Sequence, residues 1–275
     1  MKALYTQLQS ILPIRLRQIL PQAQLEKLTE IRMRLCAPTK LVYLDRVAEL
    51  GSAVTQEDLN FCVNTACRYS PWNADSIKEG YLTAAGGHRI GVCGEAASGG
   101  IRSVRSVCIR VAKDLRGISD KIPVRDSMLI LGAPGTGKTT LLRDYVRRLS
   151  AGGDPVSVVD ERCEIFPFAC GKLCFDPGQG CDVLSGMPKK QGIVCVMRSM
   201  GPKWIVLDEI TEPGDCDAMV GALWCGVKVV ATAHASGVRD LLSRPVYRPI
   251  VASGVFSTAV VMHPDKSYHL ERITI

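Results

Sequence analysis

The residues Gly132-Ala133-Pro134-Gly135-Thr136-Gly137-Lys138-Thr139 satisfy the spacing G-x-x-x-x-G-K-[ST], which is built to hold a nucleotide triphosphate. Glycines there let successive backbone N–H groups curl around phosphates, and the following helix directs its positive end at them. Lys138 has the reach and charge to bridge the β and γ phosphates. Thr139 offers a hydroxyl to Mg²⁺, a cation that takes few protein ligands and keeps most of its waters, and Thr140 continues the contact segment. ATP and Mg²⁺ are the expected cofactors, although the loop alone does not separate motor ATPases from small-molecule kinases or GTPases.

A second cluster of chemistry lies downstream. Trp204-Ile205-Val206-Leu207-Asp208-Glu209 is an apolar run closed by two carboxylates, which suits one acid for the metal and one for the attacking water. Asp208 is assigned to the metal shell, and Glu209 is the candidate base or water-positioning group. Val156 to Val159 runs into Asp160-Glu161, and Val227 to Ala231 runs into Thr232 and His234. Glu161 is read as catalytic or bound to metal water, with an exposed helix start as the alternative. His234 is a candidate sensor of the γ-phosphate, with a satisfied structural histidine as the alternative.

These groups need a frame that delivers them to one place. Met128 to Leu131 precedes the Gly-rich loop as a strand, and Leu141, Leu142, Tyr145, Val146 and Leu149 recur at helical spacing after it. Four proposed strands, Met128 to Leu131, Val156 to Val159, Ile205 to Leu207 and Val227 to Ala231, are separated by helical stretches, the pattern of an α/β parallel sheet with crossover helices. Such a sheet gathers ligand chemistry at the carboxyl ends of its strands. Upstream the pattern differs. Leu4, Leu8, Ile11 and Leu12, then Leu16, Ile19 and Leu20, predict two short helices divided by Pro13; Ile31 to Leu35 and Leu41 to Leu44 predict strands; Thr55 with Asp58 predicts a capped helix; and Gly86-Gly87 predicts a hairpin turn between Tyr81–Thr83 and Arg89–Cys93. Val104 to Val111 adds a strand. The apolar pattern lapses from Lys113 to Pro123, which places a boundary near residue 118, between a smaller α+β domain (1–118) and the nucleotide domain (119–275).

The chain of 275 residues is 47% hydrophobic and 22% charged, a globular composition. Ile250 to Met262 is the longest weakly polar stretch and falls short of a membrane span, so it reads as core. Residues 1–20 lack an export signal's apolar segment. With 12 cysteines but a large core and a nucleotide motif, a reducing cytosol is expected; the run Cys163, Cys170, Cys174, Cys181 lacks zinc-ligand spacing and reads as small buried hydrophobes. Residues 1–120 carry 16 Lys and Arg against 11 Asp and Glu, most of the net +7. That excess is compatible with nucleic acid, an anionic membrane surface, or arginines aimed at phosphates on a neighbouring subunit.

Beyond the loop itself, the sequence resembles the stage III sporulation protein AA group, which is similar to the hexameric ATPases of type II and type IV secretion and pilus machines. The resemblance rests on Glu30-Ile31-Arg32-Met33-Arg34, Gly80-Tyr81-Leu82-Thr83, Gly86 to Val92, Val159-Asp160-Glu161-Arg162, Asp182-Val183-Leu184, Arg198-Ser199-Met200, Asp208-Glu209-Ile210 and Ala231-Thr232-Ala233-His234. It implies a RecA-like P-loop domain, a catalytic carboxylate at Glu161, a histidine box at His234 and a catalytic place for Arg198. It further implies a homo-oligomer, a hexamer, in which the N-terminal domain covers a neighbour's nucleotide, making Arg102, Arg105 or Arg110 arginine fingers acting in trans. Its setting would be the cytosolic face of a mother cell–forespore channel, with membrane proteins as partners and no nucleic acid. Where this group usually has a basic residue before Asp182, the chain reads Pro177-Gly178-Gln179-Gly180-Cys181. A nucleic-acid-dependent ATPase is the alternative that the basic first half permits, although that half has few aromatics for stacking bases. A nucleotide-binding scaffold without turnover is the third reading.

Overall fold

Leu8, Ile11, Leu12 and Leu16 are all buried, and they seal one face of the first of two compact units in the computed structural model, which describes residues 2–20, 25–67, 80–97, 100–169 and 171–274. Two helices, α1 (Lys2–Ile11) and α2 (Ile14–Ile19), are split at Pro13, which serves as the N-cap of the second. Strands β1 (Leu28–Arg34), β2 (Pro38–Tyr43) and β3 (Val47–Ala53) lead to α3 (Gln56–Cys67), followed by β4 (Tyr81–Ala84), β5 (His88–Ala97) and β6 (Gly100–Arg110). The sheet runs β3-β2-β1-β6-β5-β4, antiparallel throughout. Alternation explains its inner face: Leu28, Ile31, Met33, Leu41, Ile90, Val107 and Ile109 pack with Leu59, Cys62 and Ala66 of α3 in one core. The expected capping box forms, with Thr55 N donating to Asp58 Oδ2 at 2.7 Å and Asp58 N to Thr55 Oγ1 at 3.3 Å. Gly86 and Gly87 take φ of 78° and 73° in the turn between β4 and β5, a region open to glycine at little cost.

The second unit begins at Leu115. Its strands are β7 (Met128–Leu131), β8 (Val156–Asp160), β11 (Cys181–Ser185), β12 (Trp204–Glu209), β13 (Lys228–Ala233), β14 (Thr258–Met262) and β15 (Tyr268–Arg272); between β8 and β11 in the chain come β9 (Phe168–Ala169) and β10 (Lys172–Leu173), a short pair of the first unit. The compact units are residues 1–114 with 167–175, and 115–166 with 176–275; one cut near residue 118 describes two continuous halves and omits the excursion at 167–175.

The seven-stranded sheet has the order β11-β8-β12-β13-β7-β14-β15, parallel except for the β14–β15 hairpin. The four strands read from sequence are its centre. The stretch Ile250 to Met262 is core, as expected, but is divided between a helix, Arg248–Ala252, and β14. Central strands are buried on both faces, which is why they read as unbroken β-branched runs. The linker from Leu115 to Pro123 is not loose: Asp144 of helix Lys138–Ala151 accepts from Gly117 N (3.0 Å), Ser119 N (2.8 Å) and Ser119 Oγ (2.7 Å), and Tyr145 Oη donates to the Pro123 carbonyl at 3.0 Å.

Candidate active site

The Gly-rich loop leaves β7, buried along its whole length, and enters helix Lys138–Ala151 through Gly137, which has φ 104°. Gly135 has φ 76°. Both conformations strain any residue with a Cβ, so the loop's path depends on these two positions. Ala133, Pro134 and Gly135 are exposed at the apex, whereas Thr136 is buried and ties back to the Ala133 carbonyl through Oγ1 at 2.9 Å. Thr139 and Thr140 lie half-buried in the first helical turn. Leu141, Leu142, Tyr145, Val146 and Leu149 form the helix's buried face.

Lys138 is 7% exposed. Its ammonium donates to the Gly132 carbonyl at 2.7 Å and the Ala133 carbonyl at 3.2 Å, and lies 3.3 Å from His234 Nδ1. On the other side of the ring, His234 Nε2 is 2.6 Å from Glu209 Oε2. An ammonium has only protons to offer, so His234 accepts at Nδ1 and carries its proton on Nε2, donating it to Glu209. Burial pushes the Lys138 pKa below the ordinary lysine range, and the charge of Glu209 opposes that shift. The parallel pairing of β7 with β13 and of β13 with β12 brings these three residues to one sheet edge.

The pairing of β12 with β13 shifts by one residue between Val206 and Glu209. Such an irregularity re-aims side chains beside a site, and the two acids separate here: Glu209 faces His234, whereas Asp208 is 6% exposed and faces the β8 side. Burial is the main force pushing the Asp208 carboxyl up to about 7, with Lys189 pulling it down and Asp160 adding to the rise.

The acidic end of β8 also divides. Asp160 is fully buried and accepts three backbone N–H groups, from Glu164 (2.8 Å), Ile165 (2.9 Å) and Phe166 (2.8 Å). It is a structural anchor for the loop 161–166, whose far side is held by Arg143 donating to the Ile165 carbonyl at 2.6 Å and the Glu164 carbonyl at 3.1 Å. Glu161 remains half-buried and pairs with Lys189.

Lys189 was not a candidate from sequence. It opens helix Lys189–Ser199 after Pro188, is 2% exposed, and places its ammonium against Glu161, 3.4 Å from Asp208 Oδ1 and 3.8 Å from Asp215 Oδ2. Asp215 in turn belongs to the capping box of helix Pro213–Trp224 with Glu212. Gly192 explains the placement. A Cβ there would lie 2.4 Å from Val159 Cγ1, so only glycine lets this helix press on β8, which sets Lys189, one turn earlier, beside the strand's acidic end.

Asp208 Oδ1 tests whether a divalent metal fits. It is buried without a hydrogen-bond donor, Lys189 lying 3.4 Å away without the alignment of a hydrogen bond. A buried carboxylate oxygen without a donor is costly, and a hard cation is the partner its chemistry suits. Asp208 therefore fits the role of a Mg²⁺ ligand.

The other candidates stand apart. Arg198 is exposed in the last turn of helix Lys189–Ser199, and among the described residues it makes no hydrogen bond or ion pair with the loop or the acidic strand ends. Arg105 and Arg110 are exposed in β6 of the first unit, Arg105 beside Glu95 at 3.2 Å. Arg102 lies in the same strand, its side chain outside the described residues. The pairing of β6 with β5 skips Arg105 and Arg102 in turn, so both are extra residues of bulges.

Comparison with known proteins shows the family and the fold. The family model for sporulation stage III, protein AA, matches residues 3–270. The stage III sporulation protein AA of Bacillus subtilis (strain 168) is 36% identical over 243 residues, which is 82% of this chain and 79% of that protein. Among solved structures, the pilus retraction motor PilT with bound ADP aligns with a TM-score of 0.61 at 12% identity, over 87% of this chain and 75% of that one. The Legionella pneumophila ATPase DotB aligns with a TM-score of 0.53 at 16% identity, over 91% and 77%. At such identities these likenesses speak for the fold: a RecA-like P-loop unit preceded by a smaller α+β unit. The chain belongs to the stage III sporulation protein AA family.

Proposed function

We propose that the chain is an ATP-hydrolysing motor ATPase that works as a ring, a hexamer, and energises a channel between mother cell and forespore. The observation that carries the hydrolytic reading is the contact chain Lys138–His234–Glu209 beside the Gly-rich loop. It connects the lysine that would bind phosphate to a carboxylate that would handle water.

Backbone N–H groups of Gly135 to Thr139 would cradle the phosphates, with Gly132, Ala133, Pro134 and Thr140 completing the segment around them. Lys138, now spent on the Gly132 and Ala133 carbonyls, has to exchange them for phosphate oxygens. That exchange frees His234 Nδ1 and leaves His234 to report on the γ-phosphate through its hold on Glu209. Glu209 orients the attacking water or takes its proton, and Glu161 acts on the same water or on water bound to metal. Asp208 and Thr139 would hold Mg²⁺, which would supply positive charge toward the phosphates.

Arg198, and Arg102, Arg105 or Arg110 acting in trans, are proposed to supply the positive charge that a loose transition state rewards. Support for a ring comes from the likeness to a pilus retraction motor and from the placement of Arg102, Arg105 and Arg110 outside the nucleotide unit. Membrane proteins of the channel are the proposed partners, rather than nucleic acid. Among the described residues no helix is long and apolar enough to cross a membrane, in keeping with a proposed place on the cytosolic membrane face. Phosphate release measured against protein concentration tests the reading: a site completed by a neighbour makes specific activity rise as subunits assemble, and a flat profile contradicts the ring.

A further inference from the structure

Lysine is almost never fully buried unless it is paired, and Lys189, 2% exposed, meets three carboxylates from three different elements: Glu161 after β8, Asp208 at the end of β12 and Asp215 in helix Pro213–Trp224. Two of these carboxylates are the ones assigned above to water and to metal. Asp208 and Asp215 are themselves 6% and 5% exposed, so their mutual repulsion is poorly screened by water. The ammonium stands at the point where carboxylates from three elements converge on it.

We propose that Lys189 is a positioning residue for hydrolysis: its ammonium, fixed in place by the Gly192 contact with β8, holds the Glu161 carboxylate beside Asp208 in the orientation the attacking water requires. This rests on the ATPase reading. Lys189 touches no nucleotide in this account and acts through Glu161, so it sets turnover and leaves nucleotide affinity alone.

A double-mutant cycle with Glu161 decides it, using the full-length protein, phosphate release, and calorimetry with Mg·ADP. Lys189→Met lowers kcat by about 10²-fold, the size expected when a reacting group is misplaced by an ångström, while the Mg·ADP Kd stays within about threefold, short of the tenfold that 1.4 kcal/mol represents. Lys189→Arg recovers part of the loss. In the Glu161→Gln background Lys189→Met costs nothing further, because residues acting as a unit are not additive. Asp215→Asn, which removes one carboxylate of the network without touching Glu161, retains most of the turnover. Should Lys189→Met not fold, the cycle with Lys189→Arg is judged by the same criterion. Independent losses from Lys189 and Glu161, or a Kd that rises in step with the fall in kcat, would overturn the proposal while leaving the ATPase reading intact. An inactive wild type would remove both.

Discussion

His234 stands between Lys138 and Glu209, 3.3 Å from the lysine Nζ through Nδ1 and 2.6 Å from the carboxylate through Nε2. One ring therefore sees both the phosphate-binding cation and the carboxylate proposed for water, and neither can move without altering the other's hydrogen bonding.

Replacing this ring with alanine cuts that connection. We expect His234→Ala to lower kcat by about 10²-fold, comparable with loss of one preorganised polar group in an active site, with the ATP Kd changed only a few-fold. Steady-state turnover beside equilibrium binding checks it. An equal effect on both would assign His234 to nucleotide binding instead.

The two neighbours Asp160 and Glu161 should behave in opposite ways. Asp160→Ala strands the buried N–H groups of Ile165 and Phe166, each of which costs roughly 1–3 kcal/mol when left unpaired, along with the part-buried one of Glu164, so urea unfolding should show a loss of about 2 kcal/mol or more. Glu161→Gln should keep the fold and bind ATP while turning it over at a slow but measurable residual rate, as should Glu209→Gln. A stable Asp160→Ala variant would mean that the loop 161–166 is held by other contacts.

Asp208 gives the site a pH dependence whose sign follows from burial. Its folded pKa of about 7 lies above the ordinary 3.8, so between those values the folded chain holds the proton that the unfolded chain releases. The stability this contributes is greatest in acid and is lost as the pH rises to about 7. Metal binding runs the other way, because it needs the ionised carboxylate. The Mg²⁺ concentration for half-maximal turnover should be roughly tenfold higher at pH 6 than at pH 8, the ratio of ionised fractions for a pKa near 7. Equal requirements at the two pH values would contradict Asp208 as the ligand, and Asp208→Asn should abolish the dependence along with turnover.

Much of this site could be read from the sequence because its parts are local. The Gly-rich loop is contiguous, and a β-branched run ending in acids advertises both a buried strand and its functional tip, which is why β7, β8, β12 and β13 and the residues after them were found. Lys189 and Asp215 were not, since their meeting with Glu161 and Asp208 exists only in three dimensions. A lysine opening a helix ordinarily signals solvent. The one clue, Gly192 a turn later, becomes meaningful only when Val159 is seen 2.4 Å from where its Cβ would be. The different duties of Asp160 and Glu161 were equally hidden, because the three N–H groups that claim Asp160 lie in an irregular loop with no periodicity to read.

Arginines acting across subunits make a separate demand. Alanine at the acting position among Arg102, Arg105 and Arg110 should reduce turnover by roughly 10³- to 10⁵-fold, the range for a supplied arginine, and mixing that variant with Lys138→Ala subunits should restore part of the rate. No recovery on mixing, with both variants folded and assembled, would place the arginine's action within its own chain.

The amides after Leu131 and the ammonium of Lys138 are proposed to hold ATP for hydrolysis. Calorimetry with Mg·ATP, paired with phosphate release on the same samples of wild type and Lys138→Ala, checks this. Wild type should bind one saturable nucleotide per chain and release phosphate steadily, and the variant should lose turnover. Absence of binding by folded, assembled wild type, or equal turnover in Lys138→Ala, would contradict it.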